Sequence, residues 1–407
     1  MLVSHSLPPK FDGFGEIREF AVSEYPQLEY SMKDVVRAGK ALKGAIEWDP
    51  GHAEEIRSIF RVANSWRASH AFPMHRMRSE LHGRMSSLKI KGLTAARLKQ
   101  MTSIRGKLAR ISSNLRQMQD LGGCRAILPS IGDANSLVEA ICAGFSHDLR
   151  REDKYMDEPR SSGYRSHHLV FAFEPREDGE EPFRGRLIEL QIRSRLQHSW
   201  ATAVEAVGMY RAENMKAGLG DQDWLRLFQL MSLEFAFSEG KEYARAGRPA
   251  RILEIEQIAG DLRAEQTLNA LSHAVTGLER FDFHPNNKPR YCLIEYFHAS
   301  RKVNVKLLDG PSKIGGALDE FERSDQGLDD KSSVVVELDK IENLVSAYPN
   351  YFGDVQLFTK NLSAVMHGGE AREYKLPPVD KVPPPPKETP DYEWIRKQNR
   401  RHRRWSE

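Results

Sequence analysis

Residues 187–193 alternate apolar and polar side chains, and read Leu187-Ile188-Glu189-Leu190-Gln191-Ile192-Arg193. A period of two is typical of a β-strand, in which successive side chains point to opposite faces of a sheet. Glu189 and Gln191 therefore share one face, and the aliphatic residues between them share the other. The stretch predicts a strand that covers a core on one side and presents a carboxylate and an amide on the other.

The segments around this strand predict an α+β domain with a mixed β-sheet flanked by helices. Gly123–Leu128 and Tyr164–Phe173 read as two further strands. Asp133–Gly144 reads as a helix between them, and Leu196–Met209 reads as a helix after residue 193. Such interspersed helices and strands are typical of a mixed sheet with helices packed on its faces.

Residues 94–118 combine a basic composition with a helical spacing of apolar residues. Leucine, isoleucine and methionine side chains recur every three or four positions, which predicts one long helix with Thr94 as its N-cap. In that helix Lys99, Ser103 and Lys107 would lie along a single face. The segment is therefore a candidate for binding phosphate groups.

Two acidic residues stand at strand positions beside these cations. Asp120 precedes a pair of glycines and a short apolar strand, and Glu189 lies on the alternating strand. Glycines let a backbone approach a ligand closely. Carboxylates that hold a divalent cation, with Lys and Arg that neutralise phosphate oxygens, are what a magnesium–nucleotide site requires. The pattern predicts such a site with Mg²⁺ as cofactor.

Composition excludes several other classes of protein. The 407 residues contain 60 Lys+Arg and 57 Asp+Glu, so any nucleic-acid surface depends on local clustering of charge. The three cysteines are widely separated, which excludes a disulfide scaffold and a cysteine zinc site. The sequence contains no run of about 18 apolar residues, so no membrane-spanning helix is predicted. Pro8, Pro9 and Lys10 occupy the place of a signal peptide's apolar stretch, so a cytoplasmic protein is expected.

Four ordered motifs resemble the RelA/SpoT synthetase domain. They are Arg97-x-Lys99-x3-Ser103-x3-Lys107, Gln119-Asp120-Leu121-Gly122-Gly123-Cys124-Arg125, Gly163-Tyr164-Arg165-Ser166-x-His168 and Glu189-Leu190-Gln191-Ile192-Arg193. The resemblance implies a nucleotidyltransferase-like sheet and a pyrophosphokinase, in which a 3′-hydroxyl attacks the β-phosphorus of ATP and AMP leaves.

The resemblance also implies roles for individual residues. Asp120 and Glu189 would bind Mg²⁺, and Glu189 would also act as the base on the attacking hydroxyl if it lies within hydrogen-bond reach. His168 and Gln191 would help to place the acceptor. Tyr164 would stack on the acceptor base, an arrangement worth about 1–3 kcal/mol per base. The implied ATP-binding residues are Arg97, Lys99, Ser103, Lys107 and Arg125. The implied acceptor-binding residues are Tyr164, Arg160, Arg165 and Arg193, and Arg160 stands where the family often has Lys.

Asn64-x-Trp66-Arg67-x-x-His70 and the stretch from Leu196 to Glu205 are similar to a subgroup of the family that includes the CapRel fused toxin–antitoxins, in which a C-terminal domain carries a Tyr-x-x-Tyr motif. The similarity implies that Tyr348 and Tyr351, in a pseudo-zinc-finger-like α+β module, block the ATP site until a phage protein displaces them. The predicted regions are 1–80 (N-terminal helices), 81–245 (synthetase domain), 246–289 (helical connector), 290–370 (regulatory module, with strands separate from the first sheet) and 371–407 (proline-rich linker and basic tail).

Three functions remain open at this point. The first is a self-inhibited toxin in anti-phage defence that pyrophosphorylates the 3′-CCA end of tRNA and blocks translation. The second is a (p)ppGpp synthetase of the stringent response that acts on GTP or GDP. The third is a non-catalytic RNA-binding module, which the pairing of Asp120 with Glu189 disfavours. The sequence gives no prediction of the oligomeric state, or of the role of the linker and tail.

Overall fold

The computed structural model describes residues 20–44, 50–211, 213, 215–274, 291–297, 302–308, 310–323, 331–338 and 355–373. In these ranges the strands are β1 Leu93–Leu98, β2 Gly122–Leu128, β3 Asp148–Lys154, β4 His167–Ala172, β5 Leu187–Ser194, β6 Tyr291–Phe297, β7 Lys302–Leu308 and β8 Lys331–Leu338. The α-helices are α1 Met32–Leu42, α2 Ala53–Ala68, α3 Ala71–Ser87, α4 Met101–Arg110, α5 Ile131–Gly144, α6 Arg195–Arg211, α7 Gln222–Ser238, α8 Arg248–Asp261, α9 Ala264–Ala274, α10 Ile314–Arg323 and α11 Gln356–Met366.

The described strands form one sheet in the order β3-β4-β5-β2-β1-β8-β6-β7. β2 and β5 are parallel, and the other neighbouring pairs are antiparallel. A parallel pair requires a crossover, and here α5, β3 and β4 lie between β2 and β5 in the chain. The predicted α+β class with a mixed, helix-flanked sheet is confirmed.

The strand alternation predicted for residues 187–192 is present in the sheet. Ile188, Leu190 and Ile192 are buried in a core that they share with α3 and α5. Glu189 and Gln191 lie on the opposite face and line a cleft. The sheet therefore separates a dry face from a polar one, and the polar face carries the candidate site.

The prediction of one helix over residues 94–118 is wrong. β1 takes the first part, α4 begins only at Met101, and a short 3-10 turn covers Leu115–Gln117. Thr94 is buried in β1 and caps no helix. β1 pairs with strands on both sides, and this pairing overrides a local helical spacing because strand preference depends on neighbours more than on sequence.

The prediction that strands after residue 290 form a separate sheet is also wrong. β8 pairs with β1, with Glu337 opposite Ala96. Tyr291 and Val335 belong to the same core as α3 and α5. The physical reason is that β1 would otherwise leave an unpaired edge of backbone hydrogen-bonding groups. The likeness of this part to a pseudo-zinc-finger remains a prediction.

A second core lies among the helices that follow β5. It brings together apolar side chains from α6, α7, α8, α9 and α11. Phe358 of α11 packs on Phe228 of α7, with ring centres 5.6 Å apart. Helices α8 and α9 lie within the predicted helical connector, residues 246–289, and the second of them ends at Ala274. Tyr348 and Tyr351, and the proline-rich segment and basic tail from residue 377 onwards, lie outside the described residues.

Candidate active site

A cleft of about 690 Å³ opens on the polar face of the sheet. Charged side chains dominate its lining. The lining cations are Arg97, Lys99, Lys107, Arg110, Arg125, Arg151, Arg160, Arg193 and Lys216, and the lining carboxylates are Asp120, Asp153 and Glu189. Nine cations against three carboxylates make the cleft strongly positive, although the whole chain carries only +3. Such a cleft attracts polyanions.

The parallel pairing of β2 with β5 brings the two predicted metal ligands into this cleft. Gly123 lies opposite Glu189 in the register, and Asp120 precedes the start of β2 at Gly122 by two residues. The two carboxylates are close enough for the charge of Glu189 to oppose ionisation of Asp120. Residues 69 positions apart in the sequence thus meet at one site.

Two lysines hold the carboxylate of Asp120. Lys99 Nζ and Lys107 Nζ lie 2.9 and 2.8 Å from Asp120 Oδ2. Burial alone would raise the pKa of Asp120, but the two ammonium groups outweigh it and lower the pKa below its usual value. Lys99 lies after β1 and Lys107 on α4, so the two converge without sharing the predicted helix.

Glu189 belongs to a closed ring of hydrogen bonds. His168 Nδ1 lies 2.8 Å from Glu189 Oε1, and the other imidazole nitrogen lies 2.7 Å from the Tyr164 hydroxyl. Arg193 donates to that hydroxyl and, over 2.9 Å, to Gln191 Oε1. Gln191 Nε2 closes the ring with a 2.6 Å bond to Glu189 Oε2. Each member fixes the orientation of its neighbours.

The ring keeps Glu189 ionised. Burial alone would raise its pKa, but the hydrogen bonds from His168 and Gln191 and the His168 charge outweigh burial and lower the pKa to about 2. Burial would likewise lower the pKa of His168, yet Tyr164 and Glu189 hold it above its ordinary value. The polar face thus presents a fixed anion beside a protonatable imidazole.

A tight turn positions the aromatic residue of the cleft. Gly163 adopts φ +88°, in the left-handed region that favours glycine. A Cβ there would lie 3.1 Å from Gln229 Cα and 3.3 Å from the Trp200 ring. Helices α6 and α7 therefore contact the turn directly and fix the backbone position of Tyr164.

Of the sequence-predicted site residues that the structure describes, all but Arg165 line the cleft. The residues that line it are Arg97, Lys99, Ser103, Lys107, Asp120, Arg125, Arg160, Tyr164, His168, Glu189, Gln191 and Arg193. Arg165 is the exception, since it is buried and forms an ion pair with Glu239. Arg165 lies two residues before the start of β4, an even number of residues from Leu169 and Phe171, whose side chains lie in the core. The expected role of Arg165 in acceptor binding is therefore corrected.

Two cleft residues carried no usable signal in the sequence. Lys216 lies beyond α6 and pairs with Glu205 of that helix. Asp153 lies on β3, which is an edge strand of almost wholly exposed side chains. An exposed edge strand lacks the apolar alternation that identifies strands, so the pattern of residues 148–154 resembles a charged loop.

The donor set fits a magnesium ion. Asp120 Oδ1 is buried and has no hydrogen-bond partner, although Oδ2 has two. An orphaned buried carboxylate oxygen beside a second carboxylate suits a hard cation that takes oxygen ligands. Within the described ranges no group of three or more His, Cys, Asp or Glu is arranged to hold a metal. Mg²⁺ commonly uses only one or two protein carboxylates together with substrate phosphates.

One family model matches part of the chain. Residues 96–215 match the model of the region found in RelA / SpoT proteins. The predicted resemblance to RelA/SpoT proteins is thereby confirmed, and all four motifs lie within the matched residues. The RelA/SpoT region also holds both carboxylates of the cleft and every member of the hydrogen-bonded ring.

A curated protein and several solved structures resemble the chain. The GTP pyrophosphokinase YjbM of Bacillus subtilis (strain 168) is 32% identical over 109 residues, which cover 26% of this chain and 51% of YjbM. The chain thus spans about half the length of this relative. The small alarmone synthetase 1 of Bacillus subtilis, bound to its product pppGpp, is 22% identical with a TM-score of 0.37, over 42% of this chain and 88% of that one. A GTP pyrophosphokinase family protein from Streptococcus pneumoniae is 19% identical with a TM-score of 0.36, and the match covers 46% of this chain and 92% of that one.

No helix in the described part of the chain combines the length and the apolar character that a membrane crossing needs.

Proposed function

We propose that the chain is an ATP-dependent pyrophosphotransferase of the RelA/SpoT type. Asp120 and Glu189, in one cation-lined cleft inside the RelA/SpoT region, carry this proposal. In the reaction a 3′-hydroxyl oxygen bonds to the β-phosphorus of ATP. The bond from that phosphorus to the oxygen bridging the α- and β-phosphates breaks, and AMP leaves with the bridging oxygen.

The residues of the cleft supply positioning and charge. A bound Mg²⁺, held by Asp120 and Glu189, would neutralise charge on the transferred phosphates. Arg97, Lys99, Ser103, Lys107 and Arg125 bind the ATP phosphates from β1, β2 and α4. Little covalent chemistry falls to the protein, so the rate depends on how well these groups are pre-arranged.

Glu189 receives the proton of the attacking hydroxyl. It is anionic, and its hydrogen bonds to His168 and Gln191 hold both oxygens in place. Tyr164 stacks on the acceptor base. The guanidinium carbons of Arg160 and Arg193 lie over the Tyr164 ring, 5.6 and 5.1 Å from its centre.

The acceptor that we favour is the 3′-CCA end of a tRNA, as in the toxic CapRel-like subgroup. The positive charge of the cleft suits this acceptor, because a tRNA 3′ end brings phosphodiester groups next to its terminal nucleoside. A guanine nucleotide is the alternative acceptor, and the match to YjbM, a GTP pyrophosphokinase, supports it. A non-catalytic RNA-binding module has no use for two carboxylates that face phosphate.

ATP labelled at its β- and γ-phosphates tests both the reaction and the acceptor. The full-length protein and its Tyr351→Ala variant, in which the inhibition described next is relieved, are each incubated with Mg²⁺, labelled ATP and either deacylated tRNA or GDP. We expect label on tRNA, with one AMP released per labelled acceptor. Label on GDP alone would show that the acceptor is a guanine nucleotide and not tRNA. Absence of AMP and of label from both, also in the Tyr351 variant described next, would refute the proposed reaction.

We further propose that Tyr348 and Tyr351 hold the enzyme inactive by occupying the adenine pocket, until a phage protein displaces them. Tyr351→Ala is then expected to raise AMP release about tenfold or more, since stacking of one aromatic ring on a base-sized site is worth about 1–3 kcal/mol. Tyr351→Phe, which keeps the ring, serves as control and stays inactive. Equal turnover in the Ala variant and the unaltered protein would contradict the inhibition.

A further inference from the structure

Lys216 brings a positive charge to the side of the cleft that α6 forms. Trp200, Ala201 and Val204 of this helix line the cleft with a largely apolar surface, and Lys216 lines it from the segment that follows the helix. The other lining cations belong to the strands, to α4 and to the connections between them. The helical side of the cleft therefore combines an apolar surface with a cation.

The segment that carries Lys216 folds back onto α6. The Glu213 N–H donates to the Gly208 carbonyl over 2.8 Å, and a Cβ at Gly208 would lie only 2.9 Å from the Glu213 carbonyl oxygen. Met215 is 1% exposed and belongs to the core among the helices. The Asp221 N–H anchors the end of the segment, since it donates to Glu213 Oε2 over 3.0 Å. These contacts fix the backbone on both sides of Lys216.

The ammonium group of Lys216 has one carboxylate partner and several cations around it. It pairs with Glu205 of α6, a residue that does not line the cleft. The charges of Arg97, Arg193 and Arg125 also act on Lys216. Arg97 and Arg125 belong to the proposed ATP-binding residues, and Arg193 to the proposed acceptor-binding residues. Lys216 therefore lies where the two substrates would meet, and the phosphates that pass between them are the β- and γ-phosphates of ATP.

We propose that Lys216 is a further phosphate-binding residue, which exchanges Glu205 for the β- and γ-phosphates of ATP when the nucleotide binds. A polyphosphate neutralises Lys216 and the neighbouring guanidinium groups together, whereas Glu205 neutralises the lysine alone. The flexible four-carbon stem of lysine lets the ammonium group change partner while the backbone stays fixed. The proposal rests on the proposed function, since it takes the cleft as the site of the ATP phosphates.

Binding of an ATP analogue tests this role without a chemical step. The probes are AMP and α,β-methylene-ATP, in which a methylene group replaces the oxygen that bridges the α- and β-phosphates. Each is titrated with Mg²⁺ into the full-length Tyr351→Ala variant, in which the proposed inhibition is relieved. We expect Lys216→Met to weaken binding of the analogue about tenfold or more, through loss of a charge-assisted hydrogen bond, and to leave AMP affinity unchanged. Lys216→Arg should retain most of the affinity.

Glu205→Gln tests the exchange of partners. Without the competing carboxylate the analogue should bind about twofold to fivefold more tightly, as expected from the strength of an exposed ion pair. The gain should disappear when Lys216→Met is also present. A purely structural ion pair predicts the reverse, since either change would then weaken binding. Lys306→Met is the matched control, because the Lys306 side chain is 50% exposed against 46% for Lys216 and also pairs with a glutamate. It should alter neither affinity.

The role of Lys216 is overturned if Lys216→Met leaves the affinity for the analogue unchanged or weakens both probes equally, or if Glu205→Gln weakens the analogue. The binding result also separates this role from the reaction. If the analogue binds through Lys216 while no acceptor becomes labelled from ATP, the phosphate contact stands and the pyrophosphotransfer fails. If an acceptor becomes labelled while Lys216→Met binds the analogue as tightly as before, the reaction stands and the phosphate contact fails.

Discussion

Glu189→Gln and Asp120→Asn are each expected to lower AMP release by about 10³-fold or more. Both changes keep the shape of the side chain and remove its negative charge. In Glu189→Gln the new amide no longer accepts the proton of the attacking hydroxyl. In Asp120→Asn the ammonium groups of Lys99 and Lys107 face each other without an anion. Either change also weakens the site that fits Mg²⁺. Initial rates of AMP release at saturating ATP and acceptor, over a range of Mg²⁺ concentrations, measure the effect.

The chain offers a matched control pair on the opposite face of the sheet. Glu152 Oε1 lies 2.9 Å from His167 Nε2, and Glu189 Oε1 lies 2.8 Å from His168 Nδ1. Unlike the second pair, Glu152 and His167 do not line the cleft. Glu152→Gln should leave AMP release unchanged. Residual turnover near the unaltered rate in Glu189→Gln or Asp120→Asn would show that the metal and base assignments are wrong.

The alternation of side chains predicts β5, which buries one face, but the sequence pattern predicts neither β1 nor β3. The alternation in residues 187–192 reports directly on burial, because one face packs on α3 and α5. β3 has no such face, since it lies exposed at the edge of the sheet. β1 was misread for another reason. The apolar spacing from Leu98 to Leu108 is helical, and the pairing of Ala96 with both Cys124 and Glu337 is a long-range property.

The candidate site was more predictable than the elements that carry it. Lys99 and Lys107 were expected on one helical face, and they meet at Asp120 although only Lys107 is helical. The wrong secondary structure predicted for Lys99 does not change this contact. A lysine side chain is long and flexible, so its ammonium group can reach the same carboxylate from several backbone conformations. Arg165 shows the limit of motif reasoning. Its neighbour Tyr164 faces the cleft, whereas Arg165 is buried and forms an ion pair with Glu239.

Glu337→Ala is expected to lower the free energy of unfolding by about 3–5 kcal/mol, as for other broken buried ion pairs. Glu337 on β8 is fully buried, and its Oε1 lies 2.6 Å from His75 Nδ1 and 3.0 Å from Arg78 of α3. Arg78 is itself only 2% exposed, so the variant leaves a buried guanidinium without its carboxylate. Denaturant unfolding followed by tryptophan fluorescence measures the loss.

This change tests whether β8 completes the sheet that holds the candidate active site. Glu320→Ala is the matched control, because Glu320 also pairs with a cation, Lys306, over 2.9 Å, but both side chains are at least half exposed. Its effect should stay within about 1 kcal/mol. Adding Arg78→Met to Glu337→Ala should restore part of the stability, since the buried charge is then gone. If Glu337→Ala costs no more than Glu320→Ala, then β8 does not dock on β1 and α3, and residues 331–338 belong to a separately folded module.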